Sequence, residues 1–567
     1  MRRTKMLNLR RVLCSAVSRH DYTSLRSASS LKTYMATNEP VLDYAPGSGE
    51  RMALEDALRS YEGKMTEVPV IVGDDQHFTD EFRYQLCPAD HQRQVAKYHF
   101  ATKELIQKAI DISQKVRPAW EKKPLEERAE IFLKTADLMS TKYRADMNAT
   151  SMIGQGKTII QAEIDSACEL IDFLRFNVQF AMDMAKYQPV CTPTDTNYLS
   201  FRGCEGFWAA ITPFNFTAIG GHLPSAPAFM GNTVLWKPAG TAVLSNYTFY
   251  KILREAGLPP GVINFLPSSG PVFGETITSS PHLAGINFTG SVETYQRVTA
   301  MVTKNLHLYR TFPRLIGECG GKNFHLVHPS ADITQVVYHT IRAAFEYSGQ
   351  KCSACSRLYV PHSLWLQIKD MFVEEYKKIK LGSPLEFDSF LSAVIDKASF
   401  QNIKSYLDYA KENPNLNIVV GGVCDDSKGW FVEPTIIETS DPKDKLMQEE
   451  IFGPVLTVYV YPDKKWEETL HLVDTTSPFA LTGAIFAQDQ SVIEGAQWAL
   501  RQASGNFYVN VKCTGSVVGQ QPFGGARLSG TNDKAGGPQY LARFCSPQAV
   551  KVSTQNIPHW SYPSMRV

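Results

Sequence analysis

Long apolar runs are missing from this chain. Its 567 residues include no uninterrupted hydrophobic stretch of bilayer length, which argues against an integral membrane protein. Net charge is nearly missing too: 58 basic groups face 57 acidic ones, so there is no bulk electrostatic case for nucleic acid. Cysteine is sparse. Eleven residues are far below the density of a disulfide-stapled scaffold, so the thiols are predicted to be reduced, with one or more free for chemistry. Three common signatures are also absent: a G-x-G-x-x-G dinucleotide fingerprint, a His-Glu-x-x-His zinc helix and a second C-x-x-C pair. Gly156, Lys157 and Thr158 resemble the end of a phosphate-binding loop. That motif needs a glycine where Ser151 stands and a strand before it, so a helix-packing turn is the better reading.

What is present is an ordinary globular balance, 43% hydrophobic, 20% charged and 11% aromatic, which excludes disorder as the main state. The length suggests roughly two to four folding units. Charge is unevenly placed. Residues 1–36 carry Arg2, Arg3, Lys5, Arg10, Arg11, Arg19, Arg26 and Lys32 against Asp21 alone, with serines throughout. Arg-rich, Ser-rich and acid-poor is the composition of a mitochondrial transit peptide, and a disordered basic tail is the bland alternative.

After the leader the chain first reads helical. Leu105, Ala109, Ile112 and Val116 recur at helical spacing, as do Leu125, Ala129, Phe132, Ala136 and Met139. From about residue 205, short apolar runs alternate with helices. Strands are predicted at 207–212, 233–237, 262–267 and 284–289, and in a second series at 324–327, 358–360, 455–460, 482–487 and 506–510. This alternation predicts two α/β domains with doubly wound, mostly parallel sheets and a boundary near 312–322. Ligands in such sheets sit beyond the carboxyl ends of strands. A short β-like run, 549–553, closes the chain.

Several local signals sit at those ends. Cys352 and Cys355 form a C-x-x-C pair, open to a redox or half-zinc reading, but a loop cysteine beside Lys351 also suits a nucleophile. Glu318 precedes Gly320 and Gly321 at the predicted boundary. Asn215 lies between Phe214 and Phe216. Each alone is weak, since buried cysteines, surface glutamates and turn-capping asparagines are common.

Taken in order, Pro213–Phe216, Trp236–Pro238, Phe288–Ser291, Glu318–Gly321, Gly349–Cys352, Glu449–Pro454 and Pro522–Gly525 resemble the aldehyde dehydrogenase superfamily, over nearly everything after residue 60. Phe345–Arg357 and Cys513–Arg527 look like its mitochondrial branch that oxidises glutamate γ-semialdehyde. The resemblance implies a Rossmann-type NAD-binding domain (37–312, interrupted by an oligomerisation hairpin at about 187–205), a catalytic domain (313–514), and an anchor loop with a C-terminal oligomerisation arm (515–567). It implies NAD-dependent oxidation of glutamate γ-semialdehyde to glutamate in proline catabolism, in a homodimer of the mitochondrial matrix. Cys352 would be the nucleophile, Asn215 an oxyanion donor and Glu318 the hydrolytic base. Lys237, Ser291, Glu450 and Phe452 would hold NAD. Ser353, Gly515 and Ser516 would bind the substrate carboxylate, Phe216 and Phe523 its aliphatic chain, and Glu169 matches a further active-site carboxylate. One departure concerns Gly240: many relatives carry a glutamate there for the adenosine ribose. A different semialdehyde dehydrogenase, an acyl reductase and a catalytically silent member are the rival readings. Glu318 argues against the second, and the set Cys352, Asn215 and Glu318 against the third.

Overall fold

Two seven-stranded sheets organise the chain in the computed structural model, which describes residues 34–565. Most of the segment expected to be a leader, 1–36, lies outside the described residues. Its last residue does not: the Ala36 amide donates to the Gln179 side chain at 2.7 Å.

In the first sheet the strand order is Arg314–Glu318, Leu283–Thr289, Phe207–Ile211, Thr233–Lys237, Ile263–Phe265, Val70–Val72 and Asp75–His77. The first five run parallel, and the last two add on antiparallel. The central strands read as continuous apolar runs because helices cover both faces. Their side chains feed two cores, one holding Trp208, Trp236 and Phe265, the other Phe207, Leu235 and Phe288. The second sheet runs Leu416–Val420, Thr435–Thr439, Val455–Tyr461, Cys355–Pro361, Asn323–Val327, Thr482–Phe486 and Asn506–Val509, parallel except at its first edge. Only Cys319–Lys322 separate the last residue of an edge strand in one sheet from the first residue of an inner strand in the other. The seam between the two sheets thus lies within 319–322.

Predicted and observed strands agree to within a few residues, and three differences are informative. A small three-stranded sheet of Thr66–Val68, Asp90–His99 and Phe82–Cys87 has no counterpart in the sequence reading. Its longest strand, Asp90–His99, begins with five polar residues and lacks clean alternation, so period two does not show. The helix Lys103–Lys122 buries Ile106, Ala109, Ile110, Ser113 and Trp120, a face turned from the predicted stripe. The stretch expected to be a hairpin at 187–205 gives one strand, Asp195–Ser200, whose antiparallel partner is the C-terminal strand Gln548–Ser553. Pro189 and Pro193 lack the amide hydrogens that a second local strand needs.

Candidate active site

The carboxyl ends of the first sheet face the amino end of the second across the seam. Four parallel strands of the first sheet end at Ile211, Lys237, Thr289 and Glu318, so the residues that follow share one rim. From the other side comes the loop ahead of strand Cys355–Pro361. It begins where helix Ile333–Phe345 breaks. Tyr347, Ser348 and Gly349 all take positive φ, and a Cβ on Gly349 would strike the Gly453 carbonyl. Left-handed backbone at two non-glycine residues is costly and persists only when its surroundings impose it. Here the Tyr347 hydroxyl donates to the Gln155 carbonyl at 2.9 Å, and Gln350 Oε1 accepts from the Ile395 amide at 2.8 Å. Asn323 finishes the clamp. Its Nδ2 donates to the carbonyls of Cys352 and Ala354 at 2.7 and 2.8 Å, and its Oδ1 accepts from the Thr482 amide at 3.0 Å.

This loop places Cys352 in a cavity of about 140 Å³ that is also lined by Glu169, Phe216, Glu318, Ser353, Gly515, Ser516 and Phe523. Seven of the expected catalytic and substrate residues thus meet Cys352 in one enclosure. Burial pushes the Cys352 thiol up, and the carboxyls of Glu318, Glu450 and Glu169 push it further. Burial likewise raises Glu318 well above the carboxylate range, opposed by the Gly525 amide, which donates to Glu318 Oε2 at 3.4 Å. Glu169 closes a π-helical segment, Glu163–Glu169, a distortion frequent at functional sites. Burial and then Asp165 raise its carboxyl to about 8. Asn215 directs its amide at the Gln350 carbonyl, 3.1 Å away and two residues before the thiol.

Lys351 is a correction. Its ammonium pairs with Glu346 at 3.0 Å, beside Lys512 and Arg342, rather than serving the thiol. That cluster holds the Glu346 carboxyl well down against its burial. The anchor loop behaves differently from expectation at one atom: Ser516 Oγ donates to the Gln521 carbonyl within its own loop. Ser353 Oγ and Thr514 Oγ1 share a hydrogen bond of 2.6 Å. The backbone N–H groups of Gly515 and Ser516 are taken up by no protein group among the described residues, and Gly515 has φ +95°. Successive free amides at a turn of this kind form an anion nest.

The expected cofactor residues sit outside this cavity, along the rim. Burial lowers the Lys237 ammonium to about 8, and it has no carboxylate partner among the described residues. Ser291 caps helix Val292–Lys304, accepting from the Thr294 amide at 3.3 Å, so the open N–H groups of that terminus favour an anion. Glu450 Oε1 accepts from the Gly321 amide at 2.7 Å, and burial raises its carboxyl to about 7. Phe452, at φ +55°, meets Phe214 edge-on at 5.8 Å. Glycines make this closeness possible: a Cβ on Gly320 would collide with the Glu450 carboxylate, and one on Gly321 would lie 2.6 Å from the Cys352 carbonyl. At Gly240 the space that a side chain would need is filled by the Tyr98 hydroxyl.

Other lining residues escaped the sequence reading. Phe173, His222 and Tyr540 build an aromatic wall, with Phe173 and His222 stacked at 3.8 Å and burial alone lowering His222 to about 3. Lys157, the false phosphate-loop lysine, is fully buried. It pairs with Asp165 at 2.7 Å and lies 4.3 Å from the Phe216 ring centre. No local motif marks these positions; tertiary packing assembles them.

Comparison with known proteins gives a consistent result. The aldehyde dehydrogenase family profile matches residues 78–550. A mitochondrial delta-1-pyrroline-5-carboxylate dehydrogenase from Danio rerio is 58% identical over 529 residues, covering 93% of this chain and 95% of that protein. Its human counterpart is 56% identical over 542 residues, covering 95% and 96%. Among solved structures, the delta-pyrroline-5-carboxylate dehydrogenase from Mycobacterium tuberculosis bound with NAD superposes with a TM-score of 0.91 at 42% identity, covering 94% of this chain and 98% of that one. A Thermus 1-pyrroline-5-carboxylate dehydrogenase with bound NAD gives 0.85 at 31%, covering 92% and 99%.

Proposed function

The chain belongs to the aldehyde dehydrogenase family, and on that premise we propose that it oxidises glutamate γ-semialdehyde, from pyrroline-5-carboxylate, to glutamate with NAD in proline catabolism. One observation carries the assignment of roles. A buried thiol, a base-forming carboxyl and an anion nest line a single small cavity at the rim of a nucleotide-binding sheet.

Cys352 attacks the aldehyde carbon and forms a thiohemiacetal. Asn215 and the Cys352 backbone N–H donate to the oxyanion, a contribution of roughly two to three orders of magnitude in rate per donor. NAD supplies the hydride acceptor. Lys237 would hold its adenosine ribose, the helix terminus at Ser291 its pyrophosphate, and Glu450 with Phe452 its nicotinamide half. The thioester left on Cys352 is hydrolysed by a water that gives its proton to Glu318. The free amides of Gly515 and Ser516, with the Ser353 hydroxyl, hold the substrate carboxylate, while Phe216 and Phe523 pack on its methylenes. Glu169, protonated near neutral pH, donates a hydrogen bond instead of repelling that carboxylate.

The enzyme works in the mitochondrion, as the names of its relatives support, and within it we assign the matrix, where the basic leader composition would direct it. No helix among the described residues is long and apolar enough to cross a membrane. The assembly we favour is a homodimer formed through the C-terminal arm.

NADH formation with pyrroline-5-carboxylate, succinate semialdehyde and a simple aldehyde, compared side by side, tests this. Expected are strong turnover with the first, weak turnover with the last and none in Cys352→Ser. Folded, NAD-binding protein that leaves pyrroline-5-carboxylate untouched would sink the substrate assignment.

A further inference from the structure

Behind the cavity wall lies a group of side chains that the reaction above does not use. Cys355, Cys513 and His325 are buried, and their sulphur and nitrogen donor atoms lie within 4.8 Å of one another. Cys355 opens an inner strand of the second sheet, three residues after Cys352. Cys513 heads the loop that carries Thr514, Gly515 and Ser516 into the cavity. Its thiol donates to the Ser353 carbonyl at 3.4 Å. The two sulphurs thus sit on the two segments that meet around the substrate carboxylate.

A metal is the first alternative for such a trio. The histidine argues against it. His325 Nε2 accepts from the Cys513 backbone N–H at 3.1 Å, and Nδ1 pairs with the Thr340 hydroxyl at 2.9 Å. Both ring nitrogens are already engaged, which leaves two thiols for an ion that takes four ligands. The thiols themselves are unequal. Burial pushes Cys513 up, but donation from Cys355 acts against it, and Cys513 is brought down. Burial and then Cys513 push Cys355 up. One readily ionised thiol beside one protonated thiol is the pairing that thiol oxidation exploits.

We propose that Cys355 and Cys513 form a reversible internal disulfide, with a peroxide as oxidant, that ties the carboxylate-binding loop to the nucleophile strand. The Cys513 thiolate attacks one peroxide oxygen and becomes a sulfenic acid, and the other oxygen leaves as water after taking a proton. The Cys355 sulphur then displaces the sulfenic oxygen as a second water and closes the S–S bond. Two thiols and one peroxide give one disulfide and two waters, and a dithiol reverses the change. A small cavity beside Glu450 borders Cys355. Closing the bond draws Cys513 off the Ser353 carbonyl and displaces Thr514 from the Ser353 hydroxyl. The consequence for the substrate rests on the semialdehyde reading; the bond itself does not.

The test treats the full-length, NAD-bound enzyme with hydrogen peroxide, blocks free thiols and maps non-reduced peptides. A Cys355–Cys513 linked peptide, lacking two hydrogens, is expected in wild type and in Cys352→Ser, and a dithiol removes it. In wild type, KM for glutamate γ-semialdehyde rises on the order of tenfold, the scale of one lost hydrogen bond to a charged group, while KM for a simple aldehyde holds. KM is unaffected by any fraction killed through oxidation at Cys352. Cys355→Ala keeps its basal KM and loses the shift. Free Cys355 and Cys513 at a peroxide dose that oxidises Cys352, a Cys352–Cys355 bond in their place, or a linked enzyme with unchanged KM would each overturn the proposal. If Cys355→Ala does not fold, the peptide map in wild type and Cys352→Ser still decides. The linked peptide is read without turnover, so an error in the substrate assignment would leave it in place.

Discussion

A carboxyl enclosed away from water keeps its proton, and Glu318 shows what that means for a base. Burial raises its pKa well above the ordinary carboxylate range, so as the proposed base it becomes free to accept a proton from water only as pH rises through that raised value. The same shift carries a stability term of known sign. Below the ordinary carboxylate range the neutral group costs nothing, and stability is lost as pH rises through the folded pKa, because the charged form is better solvated in the unfolded chain. Glu318→Gln is therefore expected to change two readouts together. Steady-state turnover falls by about two to four orders of magnitude, the usual contribution of general base catalysis, while the first-turnover burst of NADH survives because thioester formation does not need the base. Thermal unfolding above neutral pH shifts upward relative to wild type. A burst lost with the steady state would move the base elsewhere. Cys352 is tied to the same logic: its thiolate is disfavoured by charge on Glu318, Glu450 and Glu169, so it ionises more easily while those carboxyls are neutral.

At the scale of elements, one helix terminus controls how Asn215 and Phe216 are presented. Helix Thr217–Phe229 has no side-chain cap of its own. Its first amides, of Thr217 and Ala218, donate to the Asp165 carboxylate at 2.8 Å each, and that carboxylate also pairs with buried Lys157. Asp165→Asn leaves the lysine charge buried without a partner and is expected to cost about 3–5 kcal/mol. The Lys157→Met/Asp165→Asn pair should recover part of this in denaturant melts. If the single variant melts like wild type, the pair does not hold the helix. How much was legible in the sequence follows from the same place. The strands at 207–211, 233–237 and 283–289 were readable because burial on both faces writes itself as apolar runs. Cys352, Glu318 and Asn215 were readable because each belongs to an ordered set of short motifs. Asp165, Asn323 and the aromatic wall of Phe173, His222 and Tyr540 were not, since each acts through a partner more than 25 residues away along the chain. Strand Asp90–His99 shows no period to read, and Lys157 with Asp165, eight residues apart, matches no local motif.

The whole molecule is larger than its two domains, because its C-terminal strand leaves the second domain and pairs with a strand inserted in the first. Gln548–Ser553 and Asp195–Ser200 form a two-stranded ribbon in register from end to end. A lone two-stranded ribbon is marginal in water, and its outer edges offer unpaired backbone groups. Beyond it the chain exposes Ile557, Trp560 and Tyr562, each more than 70% accessible. Isolated exposed apolar residues are ordinary, but several together beside an open strand edge mark a surface to be covered. A second copy of the chain can cover it by a two-fold contact, each ribbon laid against the partner, which is why a homodimer is the favoured assembly. Ending the chain after Pro547 removes this strand while leaving Cys352, Glu318 and the anchor loop untouched. The expected outcome is a monomer by light scattering, with NAD still bound and the melting temperature lowered. A truncated protein that keeps the mass of the full assembly would show that the subunits meet through another surface, and that the ribbon serves to hold the two ends of one chain together.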